Sequence, residues 1–489
     1  MKASMVSRNL LATLKIKMPV IQAPMLGWAT PAMAAAVSNA GALGAIGIGG
    51  MNAEDARAVI RATRALTDKP FNVNLFCHRR AISDPSREAR WLEYLEPHFA
   101  HFQSRPPTTL RDTLSTFSDD DAVLTMLLDE RPAVVSFHFG LPEPTAIAAL
   151  RDAGIVLFAT ATNRQDAERI ADAHIDAIVA QGAEAGGHRG TFDPAAADEM
   201  LGTATLVRLF ARENALPIIA AGGIMDGAGI AAMLALGAQA AQLGTAFVVT
   251  DESAASAADR AALLDRESRT AFTKAVSGRL ARGIESPFTR LGQDPACPPI
   301  PDFPIAFEAA RALAGAAKAH GSSDYDVRWA GAAVRLARAM PAAELVAVLM
   351  QETVDAVGSD DCVNGEGSFP GVPGPENNAE QYCEYGRARV KADSETIGQH
   401  VSQLRADHAD QHDGEPVDPR YIGSFAELRS ERGSQHGKRD CYRQRGAEAD
   451  MDSKVIGTRL ADRGGQDLDC PEGDCDLRNL VLHRCDVSM

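Results

Sequence analysis

Eight short apolar segments, separated by segments with helical periodicity, are the feature of this sequence that most restricts its fold. The segments are 20–25, 41–50, 71–76, 133–140, 156–162, 177–182, 217–223 and 240–247. Apolar runs that alternate with helices are typical of buried parallel strands, and eight repeats in ~230 residues favour a closed barrel over an open sheet. The sequence therefore predicts an α/β fold, a (β/α)8 TIM barrel over 14–250, with its active site at the carboxyl ends of the strands.

Two stretches depart from this rhythm. Residues 78–130 are charged, are punctuated by prolines and are too long for an ordinary connection, which indicates a helical insertion in the barrel. Residues 251–355 have mostly helical patterns and turn-forming residues at 292–304. We expect these two stretches to form a smaller helical cap over the barrel mouth.

The pattern stops in the last part of the chain, 356–489. Strong hydrophobic residues fall to roughly a fifth there, and Gly, Asp, Glu, Arg and Gln dominate, as in disordered segments. Six of the eight cysteines lie in this part, and the spacing of Cys470, Cys475, His483 and Cys485 does not match the usual zinc patterns. A disordered tail and the product of a reading-frame change both fit this composition.

The charge of the chain restricts its partners. A formal net charge of −16 argues against nucleic acid or an anionic membrane as a partner. No apolar run approaches the ~20 residues of a membrane span, and residues 1–18 lack the apolar core of a signal peptide. Only Cys77 and Cys297 precede the tail, which fits a reducing compartment. These observations predict a cytoplasmic protein.

A glycine-rich segment, 181–190, follows the sixth apolar run and reads Gln-Gly-Ala-Glu-Ala-Gly-Gly-His-Arg-Gly. Glycines such as Gly186 and Gly187 permit close approach of backbone to a ligand. Gln181, His188 and Arg189 add an amide, an imidazole and a guanidinium, which suit a planar, charged cofactor. The alternative is a simple turn with a solvated histidine. Its place at the barrel mouth favours a cofactor-binding loop with His188 as the catalytic group.

The ends of the seventh and eighth strands also carry glycines. In TIM barrels these two loops often bind a phosphate through backbone N–H groups and a helix amino terminus. The residues predicted to do so are Gly222, Gly223, Gln242, Leu243, Gly244 and Thr245. A ligand with its phosphate there would extend across the mouth towards Met25, Asn74 and Gln181.

Other catalytic chemistries have little support in the sequence. The glycines of 44–50 resemble a dinucleotide fingerprint, but no acidic residue follows at the required place. There is no Walker A motif and no Gly-x-Ser-x-Gly motif, and no metal site is predicted in the barrel. His138, at the end of the fourth apolar run, is either a buried core histidine or a second titratable group at the site.

Six segments together resemble the nitronate monooxygenase family, formerly called 2-nitropropane dioxygenases. The segments are 22–25, 70–74, 136–140, 181–190, 220–227 and 242–247, and they occur in the family's order within about residues 14–350. The Gly-Gly-His-Arg-Gly run at 186–190 is fairly specific. Ser-Gly-Arg at 277–279, followed by Ala-Arg-Gly at 281–283, is also similar to the family.

This resemblance implies an FMN-dependent enzyme on a TIM barrel, which oxidises alkyl nitronates, notably propionate 3-nitronate, with molecular oxygen. It implies that Asn74, Gln181, Gly186, Gly223 and 242–245 contact FMN. It also makes His188 the active-site histidine and places Met25 near the flavin ring. We expect His188 to balance the negative charge of the nitronate.

One departure from the family concerns the substrate. Family members often carry two tyrosines and a lysine, four residues apart, on a helix over the active site. Here the matching positions are Phe303, Phe307 and Arg311, so both hydroxyl groups are missing. We expect these three residues and His138 to contact the substrate, with Arg311 as the anchor for its anion.

Two other functions remain open on the sequence alone. One is an NAD(P)H-dependent flavin reductase, of the quinone or enoyl reductase type, on the same barrel; rapid bleaching of the flavin by NADH would identify it. The other is a catalytically silent flavin-binding protein, with the tail as its interaction module. A colourless purified protein would favour the second.

The composition of 356–489 generates a prediction about the tail. Limited proteolysis should cut this part first and leave a yellow, active core, because exposed polar segments are the preferred sites of cleavage. The measurement is the mass of the resistant fragment together with its flavin absorbance. A chain ending at Gly358 that is insoluble or loses FMN would show that the tail belongs to the fold.

Overall fold

The computed structural model describes residues 9–357 of the chain. The predicted tail, 356–489, lies outside the described residues except for its first two positions, which end the last helix. Within 9–357, no helix has both the length and the apolar character needed to cross a membrane.

Eight parallel strands form the barrel. They are β1 (Val20–Gln22), β2 (Gly44–Gly47), β3 (Phe71–Phe76), β4 (Val134–His138), β5 (Val156–Ala161), β6 (Ala177–Gln181), β8 (Ile218–Ala221) and β9 (Ala240–Leu243). The two-residue strand β7 (Gly187–His188) follows β6 in the chain but belongs to another sheet. Hydrogen-bonded neighbours follow the order β1-β9-β8-β6-β5-β4-β3-β2. The ring closes because the Gln22 N–H donates to the Leu43 carbonyl at 2.9 Å and the Leu43 N–H to the Val20 carbonyl at 3.0 Å. The predicted (β/α)8 barrel is confirmed.

Eight helices, one for each barrel strand, cover the outside of the barrel. These helices are α2 (Pro31–Asn39), α3 (Ala53–Leu66), α5 (Asp121–Glu130), α6 (Pro144–Asp152), α7 (Arg164–Asp172), α8 (Thr203–Glu213), α9 (Gly227–Ala235) and α14 (Ala342–Val357). Side-chain caps fix several of their starts. Thr30 accepts the Met33 N–H at 3.0 Å, and Pro31 occupies the first turn of α2.

Two helices of this outer ring come from stretches that the sequence assigns to the insertion and the cap. Helix α5 lies within 78–130, and α14 begins within 251–355 and ends two residues beyond it. Helix α14 packs against α9 and α2, and its Leu345 and Leu349 are fully buried in the core around the barrel. The chain therefore completes the ring of eight helices only after it has built the cap.

The amino-terminal end of the barrel is sealed by α1 (Leu10–Leu14). Leu10, Leu11 and Leu14 are at most 5% exposed. They pack with side chains that fill the barrel interior, namely Ile21, Leu43, Val134, Phe158, Val179 and Ile219. This packing leaves the carboxyl end of the barrel as the open end.

A second layer of helices lies over that open end. Helix α4 (Pro85–His101) packs against α13 (Ala306–Ala319), and α12 (Pro287–Leu291) contributes Phe288 to the same apolar cluster. Helices α10 (Thr245–Val248) and α11 (Ala257–Leu264) follow the last barrel strand, and short 3-10 turns occupy Phe117–Asp119 and Val334–Leu336.

The cap region also contains a small antiparallel sheet, in the order β10 (Thr270–Thr273), β11 (Ala281–Ile284) and β7. The sequence pattern predicts helices in this region and does not reveal these strands. Four residues are too few for alternation to identify a strand, so periodicity gave no signal here. The sheet matters because β7 carries His188, which pairs with Ala281 of β11.

The seal at the amino-terminal end generates a prediction about stability. Leu14→Ala should lower the free energy of unfolding by about 2–4 kcal/mol, because it leaves a cavity between α1 and the barrel interior. Leu66→Ala is the matched control, since Leu66 is also helical but 53% exposed, and should change the stability by less than about 0.5 kcal/mol. Urea unfolding measures both. Equal losses would mean that α1 does not contribute to the core.

Candidate active site

A cavity opens at the carboxyl ends of the barrel strands, where the sequence predicts the active site. Its lining includes most of the predicted site residues, namely Met25, Asn74, His138, Gln181, Gly186, Gly187, His188, Gly222, Gly223, Gln242, Gly244, Thr245, Phe303 and Phe307. The structure thus brings together residues from six of the eight barrel strands or the loops that follow them. Leu243 and Arg311 do not line this cavity.

Each exception has a geometric cause. The Leu243 side chain is 1% exposed and packs in the core between strands and helices, because alternation along β9 turns Gln242 towards the cavity and Leu243 away from it. Arg311 lies on the exposed face of α13, where its Nη2 donates to Thr113 Oγ1 at 2.7 Å. Its guanidinium also stacks on the Phe307 ring at 5.0 Å. The structure does not bring Arg311 to where it would anchor a bound anion.

The end of the cavity beside β8 and β9 is made largely of backbone. Gly222 and Gly223 have φ values of +126° and +71°. A Cβ at Gly222 would lie 2.7 Å from Thr203 Oγ1, and one at Gly223 would lie 3.0 Å from Glu184 Cβ. Glycine is therefore required at both positions, by conformation and by space. The loops after β6 and β8 are joined here, because the Thr203 hydroxyl group donates to the Gly222 carbonyl at 3.0 Å.

Gln181 closes the histidine loop, 181–190, on itself. Its Nε2 donates to the His188 carbonyl at 3.0 Å, and its Oε1 accepts the Gly190 N–H at 2.8 Å. The side chain is 8% exposed, so both hydrogen bonds are shielded from water. Gln181 therefore fixes the loop as well as lining the cavity.

Arg189 is a structural residue of the same loop. Its side chain is 1% exposed, and its Nη1 donates to the carbonyls of Gln181 and Gly182, both at 2.9 Å. Its Nε and Nη2 donate to Asp198 at 2.8 and 3.0 Å. These four hydrogen bonds hold the guanidinium group inside the protein. The expectation that Arg189 faces a cofactor is therefore wrong, because the side chain turns into the protein.

His188 lies against three aromatic rings and one hydroxyl group. Its ring centroid is 5.0 Å from that of Trp329, 5.5 Å from Phe303 and 5.8 Å from Phe139. Its Nε2 lies 2.8 Å from Ser277 Oγ. Within residues 9–357, Nδ1 makes no hydrogen bond. One ring nitrogen is thus held by the protein, and the other is available at the cavity.

Burial keeps His188 neutral. Its pKa is lowered to about 3, mainly because burial disfavours the charged form, and the Arg279 guanidinium and His138 lower it further. A group with this pKa carries no charge at neutral pH. With no ligand bound, His188 is therefore a neutral imidazole, and a charged role towards an anionic substrate stays a prediction.

His138 lines the cavity with both ring nitrogens engaged. Nδ1 lies 3.0 Å from Thr160 Oγ1, and Nε2 lies 3.3 Å from the His188 carbonyl. Burial, with smaller contributions from Arg279 and Arg189, lowers its pKa to about 4. His138 is thus a satisfied, neutral residue that supports the loop carrying His188.

Three residues of the site are absent from the sequence-based assignment. Ser277 and Trp329 contact His188, and Phe139 packs between His188 and Arg279, whose guanidinium lies 4.2 Å from the Phe139 ring centroid. Ser277 and Phe139 fall in segments that resemble the family, so the signal for them was present. Trp329 had none. In the part of the chain that the structure describes, no cluster of three His, Cys, Asp or Glu side chains is arranged to bind a metal ion.

Comparisons with known proteins agree with this geometry. The family model described as nitronate monooxygenase matches residues 7–352. A nitronate monooxygenase of Paraburkholderia phytofirmans is 57% identical over 351 residues, which cover 72% of this chain and 96% of the relative. A nitronate monooxygenase of Pseudomonas aeruginosa is 53% identical and covers 69% and 97%.

Solved structures share the same fold. A nitroalkane oxidase from Streptomyces ansochromogenes has a TM-score of 0.64 and 37% identity, over 71% of this chain and 99% of that one. FabK from Thermotoga maritima has a TM-score of 0.55 and 28% identity, over 74% and 99%. The family model covers more than half of the chain, and two relatives exceed 50% identity over almost their whole length. The chain therefore belongs to the nitronate monooxygenase family.

Proposed function

We propose that this protein oxidises alkyl nitronates with molecular oxygen, using FMN bound in the cavity at the barrel mouth. The observation that carries the proposal is a buried, neutral imidazole, His188, held among aromatic rings in a cavity whose opposite end is glycine backbone. Membership of the family supports it, since the relatives at 53–57% identity are nitronate monooxygenases.

The residues of the cavity fit FMN. Gly187 has a φ of +77° and lines the cavity, and a Cβ there would meet nothing within 4 Å, so the loop leaves room for a ligand. The Gln242 side chain makes no hydrogen bond within 9–357. Asn74 uses its Nδ2 on Ser136, at 2.9 Å to Oγ, and keeps Oδ1 as an acceptor. These amides suit the polar edge of a flavin ring.

When bound, FMN supplies the electron acceptor and the group that reacts with oxygen. Backbone at Gly222, Gly223 and Gly244, with Thr245, would hold the phosphate, as the two last loops of such barrels do. Asn74, Gln181 and Gln242 would hold the ring. Met25, beside Gly244, supplies an apolar contact at the same end of the cavity.

The hydroxyl group of Ser277 sets the tautomer of His188. This hydroxyl has one hydrogen, which can go to His188 Nε2 at 2.8 Å or to the Arg279 carbonyl at 3.3 Å. We assign it to His188, the nearer acceptor. Nε2 is then the acceptor and Nδ1 carries the proton. A neutral Nδ1–H can donate to an oxygen of the nitronate, which carries the negative charge.

The positive charge that lowers the pKa of His188 is that of Arg279. This residue is 3% exposed, and its side chain donates to the carbonyls of Arg189 and Thr191. Burial lowers its pKa to about 9, which leaves it cationic at neutral pH. Phe139 separates it from the cavity. Arg279 therefore acts on a bound anion through space, in surroundings where screening is weak.

The two alternative functions have less support. A flavin reductase would use the same barrel, but the most similar of the relatives described above are nitronate monooxygenases. A silent flavin-binding protein does not account for an imidazole with one nitrogen held and one free at the cavity. Oxygen uptake by the yellow protein with nitronate, and not with NADH, distinguishes all three.

The arrangement predicts that catalysis and cofactor binding can be separated by mutation. His188→Asn should keep FMN yet lose on the order of 10²-fold in nitronate turnover, because the shorter amide does not reach Ser277 and its N–H is no longer held in position. Gly223→Val should give a colourless protein, because a Cβ there meets Glu184 and the φ is unfavourable for valine. Absorbance at the flavin bands and oxygen uptake measure the two effects. A yellow His188→Asn protein with wild-type kinetics would overturn the role of His188.

The lowered pKa of His188 predicts a flat pH profile. With a pKa of about 3 instead of ~6.5, the imidazole stays neutral from pH 6 to pH 8. kcat/KM for a nitronate formed before the assay should therefore not fall as the pH decreases from 8 to 6. Initial rates of oxygen uptake measure it. A fall in activity with an apparent pKa near 6.5, absent in His188→Asn, would mean that the imidazole is exposed and protonated in this range.

A further inference from the structure

Phe303 is the ring that covers the imidazole of His188 from the cap. Its centroid lies 5.5 Å from that of His188, 5.3 Å from that of Phe139 and 5.1 Å from that of His78. Phe303 is 6% exposed, although it precedes α13 and belongs to no helix or strand. Contacts outside regular secondary structure therefore have to hold this ring in place.

The residue before it, Asp302, is bound to the loop that leaves barrel strand β3. Its carboxylate accepts two N–H groups of Arg79, at 2.7 and 3.0 Å, and the Ile82 N–H at 2.9 Å. The side chain of Asp302 is 15% exposed. A bidentate pair with an added backbone donor has a defined geometry, which a single exposed ion pair lacks. Asp302 therefore fastens the start of α13 to the barrel.

The same two segments also meet on the inside. His78, next to Arg79, packs edge-on against Phe303, with 87° between the two ring planes. His78 is 2% exposed, and its Nδ1 has no hydrogen-bond partner within 9–357, so packing holds this side of its ring. An ion pair outside and an aromatic pair inside thus form one clasp, made of His78, Arg79, Asp302 and Phe303.

The clasp lies on the turn that holds the imidazole. Gly278 has a φ of +88°, and a Cβ there would lie 2.8 Å from the backbone nitrogen of Phe303. The neighbouring residue is Ser277, whose hydroxyl group lies 2.8 Å from His188 Nε2. A movement of the clasp would therefore uncover His188 and disturb the turn that fixes its Nε2.

We propose that Asp302 is a positioning residue for the reaction, because its hold on Arg79 keeps the clasp closed over His188. The proposal rests on the proposed function only for the role of His188. Asp302 does not line the cavity, so it acts through the Phe303 ring and not by contact with a ligand. The closed clasp excludes water from the imidazole and keeps its N–H directed at the substrate.

Burial is the main reason for the low pKa of His188, and nearby charges add to it. Arg279, beyond the Phe139 ring, and His138 on β4 both lower this pKa further. Arg189 on the same loop and Arg282 on β11 donate to acceptors elsewhere. Entry of water is therefore the change that would raise the pKa of His188 most.

Asp302→Asn tests the proposal through the charge state of His188. The substitution removes a negative charge and leaves Arg79 unpaired, which by itself would lower the pKa of His188. An open clasp would instead admit water and raise it. We expect nitrogen NMR of labelled histidine at pH 5 to show about a fifth of the His188 rings protonated, against ~1% in the wild type, whose pKa is about 3. His188→Asn identifies the signal. An unchanged or smaller protonated fraction would overturn the proposal.

Glu308→Gln is the matched control. Glu308 is 16% exposed and binds Arg111 through its carboxylate, but it lies outside the clasp. Its variant should keep the wild-type fraction. Arg79→Met/Asp302→Asn, which leaves the net charge unchanged, should match Asp302→Asn because both open the same clasp. A wild-type fraction in this double variant, or an equal rise in Glu308→Gln, would assign the effect to charge alone and overturn the role of the clasp.

Oxygen uptake with nitronate gives the kinetic side of the test. For yellow Asp302→Asn we expect kcat to fall about 5- to 10-fold and KM to stay within about twofold, because no contact with substrate is lost. A colourless variant, or a change confined to KM, would mean that Asp302 serves the whole fold or substrate binding instead. If the wild-type protein oxidises no nitronate, the proposed function fails, whereas the NMR comparison still decides whether Asp302 closes the clasp.

Discussion

The active site depends on one buried guanidinium, that of Arg189. It ties the carbonyls of Gln181 and Gly182, at the end of β6, to Asp198 further along the same connection. A charge with 1% exposure is stable here because the guanidinium makes four hydrogen bonds, two of them to a carboxylate. The adjacent residue, His188, is thereby fixed at the cavity, and the Gln181 side chain secures its carbonyl. Rigidity at Arg189 is thus what gives the imidazole a defined position.

Burial then determines the charge state of the site. The same packing that immobilises His188 removes water from it, so its pKa falls to about 3 and the imidazole is neutral. Arg279 keeps its charge but is separated from the cavity by Phe139. We therefore propose that the site stabilises an anion by a directed N–H group and a distant positive charge. An ion pair in direct contact would bind substrate tightly, but it would also hold the charge in the ground state.

The sequence revealed the barrel because buried parallel strands leave long-range repetition, and it revealed the loops because glycine is demanded by backbone geometry at Gly222 and Gly223. The sequence did not predict the directions in which individual side chains point. Arg189 and Leu243 belong to correctly predicted segments but turn inward. The spacing of Phe303, Phe307 and Arg311 suggested one helical face, yet α13 begins at Ala306, so Phe303 precedes the helix and Arg311 lies on its exposed side.

The division between barrel and cap explains how one part of the site can change while the other is kept. The loops after β6 and β8 are joined by the Thr203 hydroxyl group, which donates to the Gly222 carbonyl at 3.0 Å, and a Cβ at Gly222 would disturb this contact. Phe303, Phe307 and Trp329 come from the chain after the last barrel strand and meet the cavity through side chains alone. Exchanging a hydroxyl group or a charge at these positions leaves the cofactor wall intact. We therefore propose that substrate range is decided in the cap and cofactor binding in the barrel.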